Sequence, residues 1–320
     1  MSEEPEPSPT WAGLARRPAL FAVAGAMCIA FSGILVRLSG ESPSTVAVFR
    51  CLYALPPLAL LAWWERRRFG PRPARQRWLA VLAGAFFAAD LILWHHSIEA
   101  VGAGLATVLG NTQVVMVGFL AWAILGERLS PRLLAAVPIA LVGIVLISGV
   151  LEEGAFGKNP ALGVLFGVAT ALAYSGFILI LRQGNRDIRR PAGPLFDATA
   201  AAAILSAVAG WALGDFDPAP GLRAQLWLVT LALTAQVAGW LLISVSLPRL
   251  PAALTSILLT LQPVAAVFLS MVLISEQPSG LQLAGVALVL AGVIVAALRK
   301  RGPAREPTVE LEPAVIEPAG

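Results

Sequence analysis

Charged residues are scarce in this sequence. Only 13% of its 320 residues are Asp, Glu, Lys or Arg, whereas soluble domains carry about a quarter. Hydrophobic residues make up 58% of the chain, and its mean hydropathy is +0.78. These proportions exclude an ordinary soluble protein and predict a chain that lies in a lipid bilayer.

The motifs that enzymes need are also missing from the sequence. It contains no H-E-x-x-H or G-x-S-x-G motif, no glycine-rich phosphate loop and no cluster of paired carboxylates. The connections between apolar segments are too short for a soluble domain that hydrolyses ATP. Both cysteines, Cys28 and Cys51, fall within apolar segments, where packing is expected rather than a disulfide. We predict that the protein is not an enzyme and needs no cofactor.

What the sequence does have is long apolar runs. A helix crosses a bilayer with roughly 20 mostly apolar residues, and glycine, proline and charge clusters divide this chain into ten such spans. The acidic, proline-rich residues 1–17 do not resemble a cleaved signal peptide. They and the tail 299–320, which is rich in Pro, Glu and Ala, are predicted to be disordered because of their composition. The predicted spans are 18–38, 43–64, 78–98, 101–125, 131–149, 160–181, 192–213, 224–246, 250–274 and 279–298.

Basic residues give these spans an orientation, because cytoplasmic connections retain Lys and Arg. With ten spans, the termini and the even-numbered connections carry 19 of the 23 basic residues, and the opposite connections carry only Lys158 and Arg223. Both termini are therefore predicted to be cytoplasmic in a multi-pass protein of the plasma (inner) membrane. The net charge of +4 then reflects topology and does not indicate nucleic-acid binding.

The second half of the sequence repeats the first. A shift of 149 positions aligns residues 102–148 with 251–297 without a gap, and 14 of those 47 positions are identical, including Gln113 with Gln262 and Glu127 with Glu276. The motif AFSG at 30–33 returns as AYSG at 173–176. Each repeat, 18–149 and 160–298, thus has five spans, and an odd number requires that the second copy be inverted. Inverted repeats are typical of secondary transporters, because exchanging the conformations of the two halves turns the site to the other side.

These features resemble the drug/metabolite transporter superfamily, in its EamA-type permease branch. The resemblance rests on the two five-span repeats, the glutamines of spans four and nine, the turns GERL and SEQP, and the stretch LWHHSIEAVGAGLATVLGNTQ at 93–113. It implies a central cavity between the halves, lined largely by spans one, three, four, six, eight and nine. The absence of Lys from every span counts against the nucleotide-sugar and sugar-phosphate branches.

Polar residues within the spans are the candidates for the transport site. Gln113 and Gln262 lie half-way through their spans, where they either hydrogen-bond between helices or contact substrate at the interface of the repeats. Asn111 adds polar character at the depth of Gln113, and Trp94 shares the helix face of Asp90. Weaker candidates for lining the site are Tyr174, Gln236, Trp240 and Ser32.

Two ionisable residues are hard to explain as structure alone. Arg50 in span two and Asp90 in span three share a depth of roughly 10–12 Å below the same surface, at 1.5 Å per residue. They are predicted to pair and to couple transport to protons when substrate or movement separates them; a static structural pair, or an Arg50 that receives an anionic group of the substrate, are the alternatives.

Other polar residues are assigned structural roles. His95 and His96 are adjacent and diverge by about 100° on a helix, so we predict interfacial imidazoles and no metal site. Glu127 and Glu276 are predicted to form hairpins at the water interface, with Ser130 and Ser279 capping the helices that follow.

The sequence therefore predicts a secondary active transporter that works by alternating access. The resemblance implies export. Amides, hydroxyls, aromatic rings and one acid in apolar spans predict a small amphipathic metabolite such as an amino acid as substrate, and Asp90 with Arg50 suggests coupling to protons. A passive facilitator or channel is the alternative. The expected partners are the substrate and the bilayer, with the chain a monomer or a homodimer.

Overall fold

The computed structural model describes residues 18–125, 130–184, 187, 189–246, 250 and 252–297, apart from the side chains of 121, 124, 125, 182, 184 and 252–260. The segments predicted to be disordered, 1–17 and 299–320, lie outside these residues, as does Glu127.

The described chain folds into helices that follow one another as ten spans. Eight of them are long and apolar enough to cross a membrane, and Pro131–Ile147 and Leu261–Leu273 are shorter apolar helices. The prediction of an all-α membrane fold is thus confirmed. In chain order the helices are Pro18–Ala30 with Ser32–Ser39 (span one), Pro43–Phe69, Ala74–Val101, Ala103–Asn111 with Gln113–Leu125 (span four), Pro131–Ile147, Pro160–Gly184, Ala192–Leu213, Leu222–Leu231 with Ala232–Gly239 and Trp240–Ser246 (span eight), Ala252–Leu273 and Gly280–Ala297.

The ends of these helices follow local chemistry. Ser130 accepts a hydrogen bond from the Leu133 amide at 3.1 Å, and Ser279 accepts one from the Gln282 amide at 3.0 Å, so both predicted N-caps are confirmed. Span two extends to Phe69, beyond the predicted residue 64, because an arginine-rich turn continues the helix past its apolar part.

The spans pair in a pattern that the exchange of the repeats preserves. Span two packs on seven, four on nine and five on ten, while the contact of three with six has its counterpart in that of eight with one. In the contact of span five with span ten, a Cβ added to Gly143 would lie 2.7 Å from the Gly285 carbonyl oxygen. The 149-residue shift relates these two residues to Gly292 and Ala136, where the two helices cross a second time. There a Cβ added to Gly292 would lie 3.1 Å from the Ala136 carbonyl oxygen. Small residues at both crossings allow the backbones to approach closely.

Three spans are irregular near their middles. Span one is interrupted at Phe31 and span four at Thr112, and span eight contains a π-helical segment, Ala232–Gly239. Discontinuous spans and π segments occur frequently at functional sites, because they redirect backbone and side chains. None of these irregularities is predicted from the sequence.

We call the end of the bundle where span one begins the terminal end, and the opposite end the far end. At the terminal end, both oxygens of the buried Glu65 carboxylate accept the Ala192 and Gly193 amides that begin span seven, at 2.9 and 2.8 Å. At the far end, an Asp215 oxygen accepts the Ser44 amide near the start of span two at 3.3 Å. Spans two and seven are thus tied at both ends.

Candidate functional site

A cavity of about 90 Å³ lies between the two repeats. It is bordered by spans one, three, four, six, eight and nine, as the resemblance implies, and also by span two. Ligand pockets commonly measure about 300–1,000 Å³, so most solutes would fit only after the helices separate. The lining residues are Ile29, Ser32, Arg50, Phe87, Asp90, Leu91, Trp94, Thr107, Gly110, Asn111, Gln113, Thr170, Tyr174, Trp240 and Gln262.

The repeat-related glutamines both border this cavity. Gln113 is buried, and in the described part of the chain its side-chain oxygen has no hydrogen-bond partner. Gln262 is half-buried on the opposite repeat. Asn111 also borders the cavity and donates to the Thr107 carbonyl at 2.8 Å, which fixes the orientation of its amide. Their roles as substrate ligands stay predictions.

Arg50 has a different partner from the predicted one. Its Nε donates to Gln236 Oε1 at 3.1 Å, and no ion pair with Asp90 occurs among the described residues. The predicted direct pair is therefore wrong in this conformation. The π segment of span eight places Gln236 against the guanidinium, while Asp90 and Arg50 both border the cavity.

Gln236 also differs from its predicted role as a substrate ligand. It is fully buried, does not border the cavity, and donates through Nε2 to Thr199 Oγ1 at 3.1 Å. A chain of hydrogen bonds thus runs from Thr199 through Gln236 to Arg50. This chain of hydrogen bonds holds the Nε edge of the Arg50 guanidinium, whereas Nη1 has no hydrogen-bond partner among the described residues.

Aromatic rings form one wall of the site. Trp240 meets Phe177 edge-on with ring centroids 5.4 Å apart, Phe177 stacks on Phe87 at 4.6 Å, and Tyr174 lies 6.1 Å from Trp240. The Arg50 guanidinium lies 5.8 Å from the centroid of the Trp94 ring. Phe87 and Phe177 are not among the site residues predicted from the sequence, although Phe177 follows Tyr174 by three residues and therefore shares its helix face.

The two histidines lie outside the cavity lining. His95 Nδ1 lies 3.0 Å from the Pro43 carbonyl oxygen at the start of span two, and the ring is buried within the protein. His96 stacks on Phe166 and has Nε2 4.0 Å from Asp215. Within the described residues, no three His, Cys, Asp or Glu side chains are grouped to hold a metal ion.

Glu276 joins the two repeats at the far end. Its Oε1 accepts the Ala103 amide at 2.7 Å and its Oε2 the Gly104 amide at 3.1 Å, so the connection after span nine caps the start of span four. Glu276 lies in the turn between spans nine and ten as predicted, but its carboxylate is buried against span four and does not face water. Ser275 beside it has φ 55°, the one non-glycine residue with a positive φ in the described chain.

The repeats and the cavity between them correspond to a known family. The model of the EamA-like transporter family matches residues 16–149 and again residues 161–298. The chain belongs to the EamA-like transporter family. This places it in the drug/metabolite transporter superfamily, and it makes the protein a transporter rather than an enzyme.

Two individual proteins are similar to this EamA-like chain. "Uncharacterized transporter YetK" of Bacillus subtilis (strain 168) is 24% identical over 208 residues, which are 63% of this chain and 62% of that protein. The match therefore spans less than two thirds of the relative's length. A solved structure described as "Crystal structure of protein" superposes with a TM-score of 0.59 and 18% identity, over 88% of this chain and 98% of that one, which is a likeness of fold alone.

The cavity of this EamA-like protein combines three kinds of group. It offers the guanidinium of Arg50, the carboxylate of Asp90, and neutral amides and hydroxyls between aromatic rings. Opposite charges in a water-poor cavity interact strongly with a dipolar solute. Such a set of groups can bind a small molecule that carries both charges and an apolar part.

Proposed function

We propose that this transporter exports a small amphipathic metabolite, such as an amino acid, by alternating access of the central cavity. The observation that carries the proposal is that Arg50 and Asp90 border one cavity without pairing to each other. The substrate carboxylate would bind the free Nη1 of Arg50, its ammonium group would bind Asp90, and its apolar part would lie against Trp94 and Tyr174. Export is the direction that the family resemblance implies.

The contact between spans nine and four at the far end supports alternating access over a passive pore. A facilitator needs a continuous path, whereas Glu276 ties span nine to span four there, and the cavity is too small for most solutes. Opening one end at a time would require the pair of spans four and nine to move. Spans two and seven, tied at both ends, would serve as the fixed frame.

Asp90 is the proposed proton carrier, since it is a buried carboxylate in the cavity. During export a proton entering from outside would bind it and displace the ammonium group of the substrate. The proton would then leave on the cytoplasmic side, where the next substrate molecule binds.

The experiment is transport in liposomes that contain the purified protein. A counterflow screen of radiolabelled amino acids finds the substrate, and competition with the amide or ester of the hit tests recognition of its carboxylate. Uphill transport that collapses with a proton uncoupler is expected, whereas uncoupler-insensitive equilibration would establish the facilitator instead.

Asp90→Asn should retain exchange and lose uphill transport. The matched control is Asp217→Asn, which changes an exposed residue at the far end. Normal proton-driven transport by Asp90→Asn would remove Asp90 from coupling.

A further inference from the structure

A second cavity, of about 260 Å³, lies at the terminal end of the bundle, where span two ends and spans three and seven begin. Four arginines and two carboxylates border it, which leaves an excess of positive charge. The cavity extends along spans two and seven into the membrane-spanning part of the bundle, where it is lined by apolar residues that include Ala59, Ala62 and Phe196. The charged members are Glu65, Arg66, Arg72, Arg77, Arg190 and Asp197.

The carboxylates of this cavity already have partners. Both oxygens of Glu65 accept the amides that begin span seven. An Asp197 oxygen lies 2.5 Å from Arg72 Nη2 and 3.9 Å from Arg77 Nε. Of the other two arginines, Arg190 pairs with Asp187 at 2.9 Å, whereas Arg66 forms no ion pair among the described residues.

Donors of the arginines remain unused. Arg72 Nη2 also donates to the Gly193 carbonyl at 2.9 Å, but its Nη1 is buried and has no hydrogen-bond partner in the part of the chain that the structure describes. The side chain of Arg77 is 63% exposed. A buried donor without a partner costs free energy, so an anion that accepts from Arg72 Nη1 would stabilise the cavity.

An apolar groove of about 460 Å³ adjoins this cavity and shares Arg77 and Asp197 with it. It runs along spans three and seven, which pack closely, since a Cβ on Gly84 would lie 2.4 Å from the Ala198 carbonyl oxygen. Exposed Ile204, Val81 and Trp78 line the groove, with Ala200 and Ala201 at its base. On the outside of a membrane bundle such a groove faces acyl chains, and tryptophans are enriched at the level of the headgroups.

We propose that the basic cavity and the adjoining groove together form a binding site for an anionic glycerophospholipid. The headgroup phosphate accepts hydrogen bonds from Arg72 and Arg77, and an acyl chain lies in the groove. The basic connections predict that this end is cytoplasmic, so the lipid belongs to the cytoplasmic leaflet. A free phosphate would fill the cavity alone and leave the groove unused. The bound lipid bridges the first repeat, through Arg72 and Arg77, to span seven of the second.

The test measures lipid binding and does not depend on transport. The purified protein is titrated with phosphatidylglycerol and, separately, phosphatidylcholine, and bound lipid is counted by native mass spectrometry while the melting temperature is recorded. Saturable binding of phosphatidylglycerol, with a raised melting temperature, is expected. Inorganic phosphate at the same concentration should not raise the melting temperature. An equal rise with phosphate would show that the site binds a soluble anion and would overturn the proposal of a lipid site.

Two double variants distinguish the site from general surface charge. Arg66→Gln with Arg77→Gln removes two basic residues that border the cavity, and Arg68→Gln with Arg75→Gln removes two exposed arginines of the same segment that do not. The first should weaken phosphatidylglycerol binding about 30-fold, since each basic residue near the surface contributes about 1 kcal/mol. The control pair should change it much less. Equal weakening by both pairs, or none by the first, would overturn the proposal.

A third variant checks the position of the phosphate. A Cβ on Gly193 would lie 2.8 Å from Arg72 Nε, so Gly193→Ala should displace Arg72 and weaken the binding without removing any charge. Gly221→Ala, where nothing lies within 4 Å of the added Cβ, is the matched control. Unchanged binding by folded Gly193→Ala would remove Arg72 from the site.

Discussion

Replacing Glu276 with Gln should open the far end of the bundle. The carboxylate is the contact through which span nine holds the first turn of span four, and each of its oxygens accepts one backbone amide. The carboxylate lies close to the backbone of Gly102, whose φ is 96°, since a Cβ added there would lie 2.9 Å from Glu276 Oε1. A neutral side chain at this position should therefore weaken the contact without replacing it.

The size of the effect follows from the two hydrogen bonds. Hydrogen bonds to a charged group contribute about 1.5–3 kcal/mol each, and neutral ones about 0.5–1.5 kcal/mol. A glutamine keeps one acceptor, and its NH₂ group faces the second amide, so the contact loses at least about 1.5 kcal/mol. Since 1.4 kcal/mol is a factor of ten, the population of the state that is open at the far end should rise at least about tenfold.

The assay is labelling of a cysteine in the cavity. Thr107 borders the cavity one turn beyond Ala103, and Thr107→Cys in a chain with Cys28→Ala and Cys51→Ala gives a single thiol. A membrane-impermeant thiol reagent is added from each side in turn. We expect Glu276→Gln to increase the labelling rate from the far-end side only.

The control is Glu65→Gln, which makes the same change in a carboxylate that caps span seven at the terminal end. It should lower stability without increasing labelling from the far end. An equal increase in both variants would show that the effect is general destabilisation. Unchanged labelling in folded Glu276→Gln would show that Glu276 is a helix cap and does not hold the far end closed.

Two further predictions concern the site and the topology. Gln113→Leu or Gln262→Leu should reduce transport in liposomes with little loss of folded protein, because Leu is stable in lipid; normal transport by both variants would make the glutamines packing contacts only. Single cysteines at positions 70 and 187 should be labelled only from the cytoplasm and one at 155 only from outside, and labelling of 70 and 155 from the same side would contradict the ten-span topology.

The parts of the fold that could be predicted are those fixed by local chemistry. The spans follow from runs of apolar residues, and the caps Ser130 and Ser279 follow from a serine placed before each helix. The repeat was visible because Gln, Ser and Glu recur at one fixed spacing. None of these features depends on how distant helices rotate against each other.

The partners of Arg50 and Glu276 could not be predicted, because they depend on that rotation. Arg50 and Asp90 share a depth, but depth does not determine which face of span eight meets span two. The π segment Ala232–Gly239 carries no sequence signal that we recognise, and it turns Gln236 toward the guanidinium. Glu276 lies at the end of its span as predicted, yet its partner belongs to the other repeat.

The repeat explains the proposed alternating access of this transporter better than it explains which substrate the cavity selects. The contacts at the helix ends recur in both halves, as Glu65 and Asp215 show for spans two and seven. In contrast, both charged residues that border the cavity in the described chain, Arg50 and Asp90, belong to the first repeat. Thr199, seven residues into span seven as Arg50 is seven residues into span two, instead supports Arg50 through Gln236. A dipolar substrate would therefore be oriented by one half and enclosed by the other, so its charges should keep the same helices as partners while the open side changes.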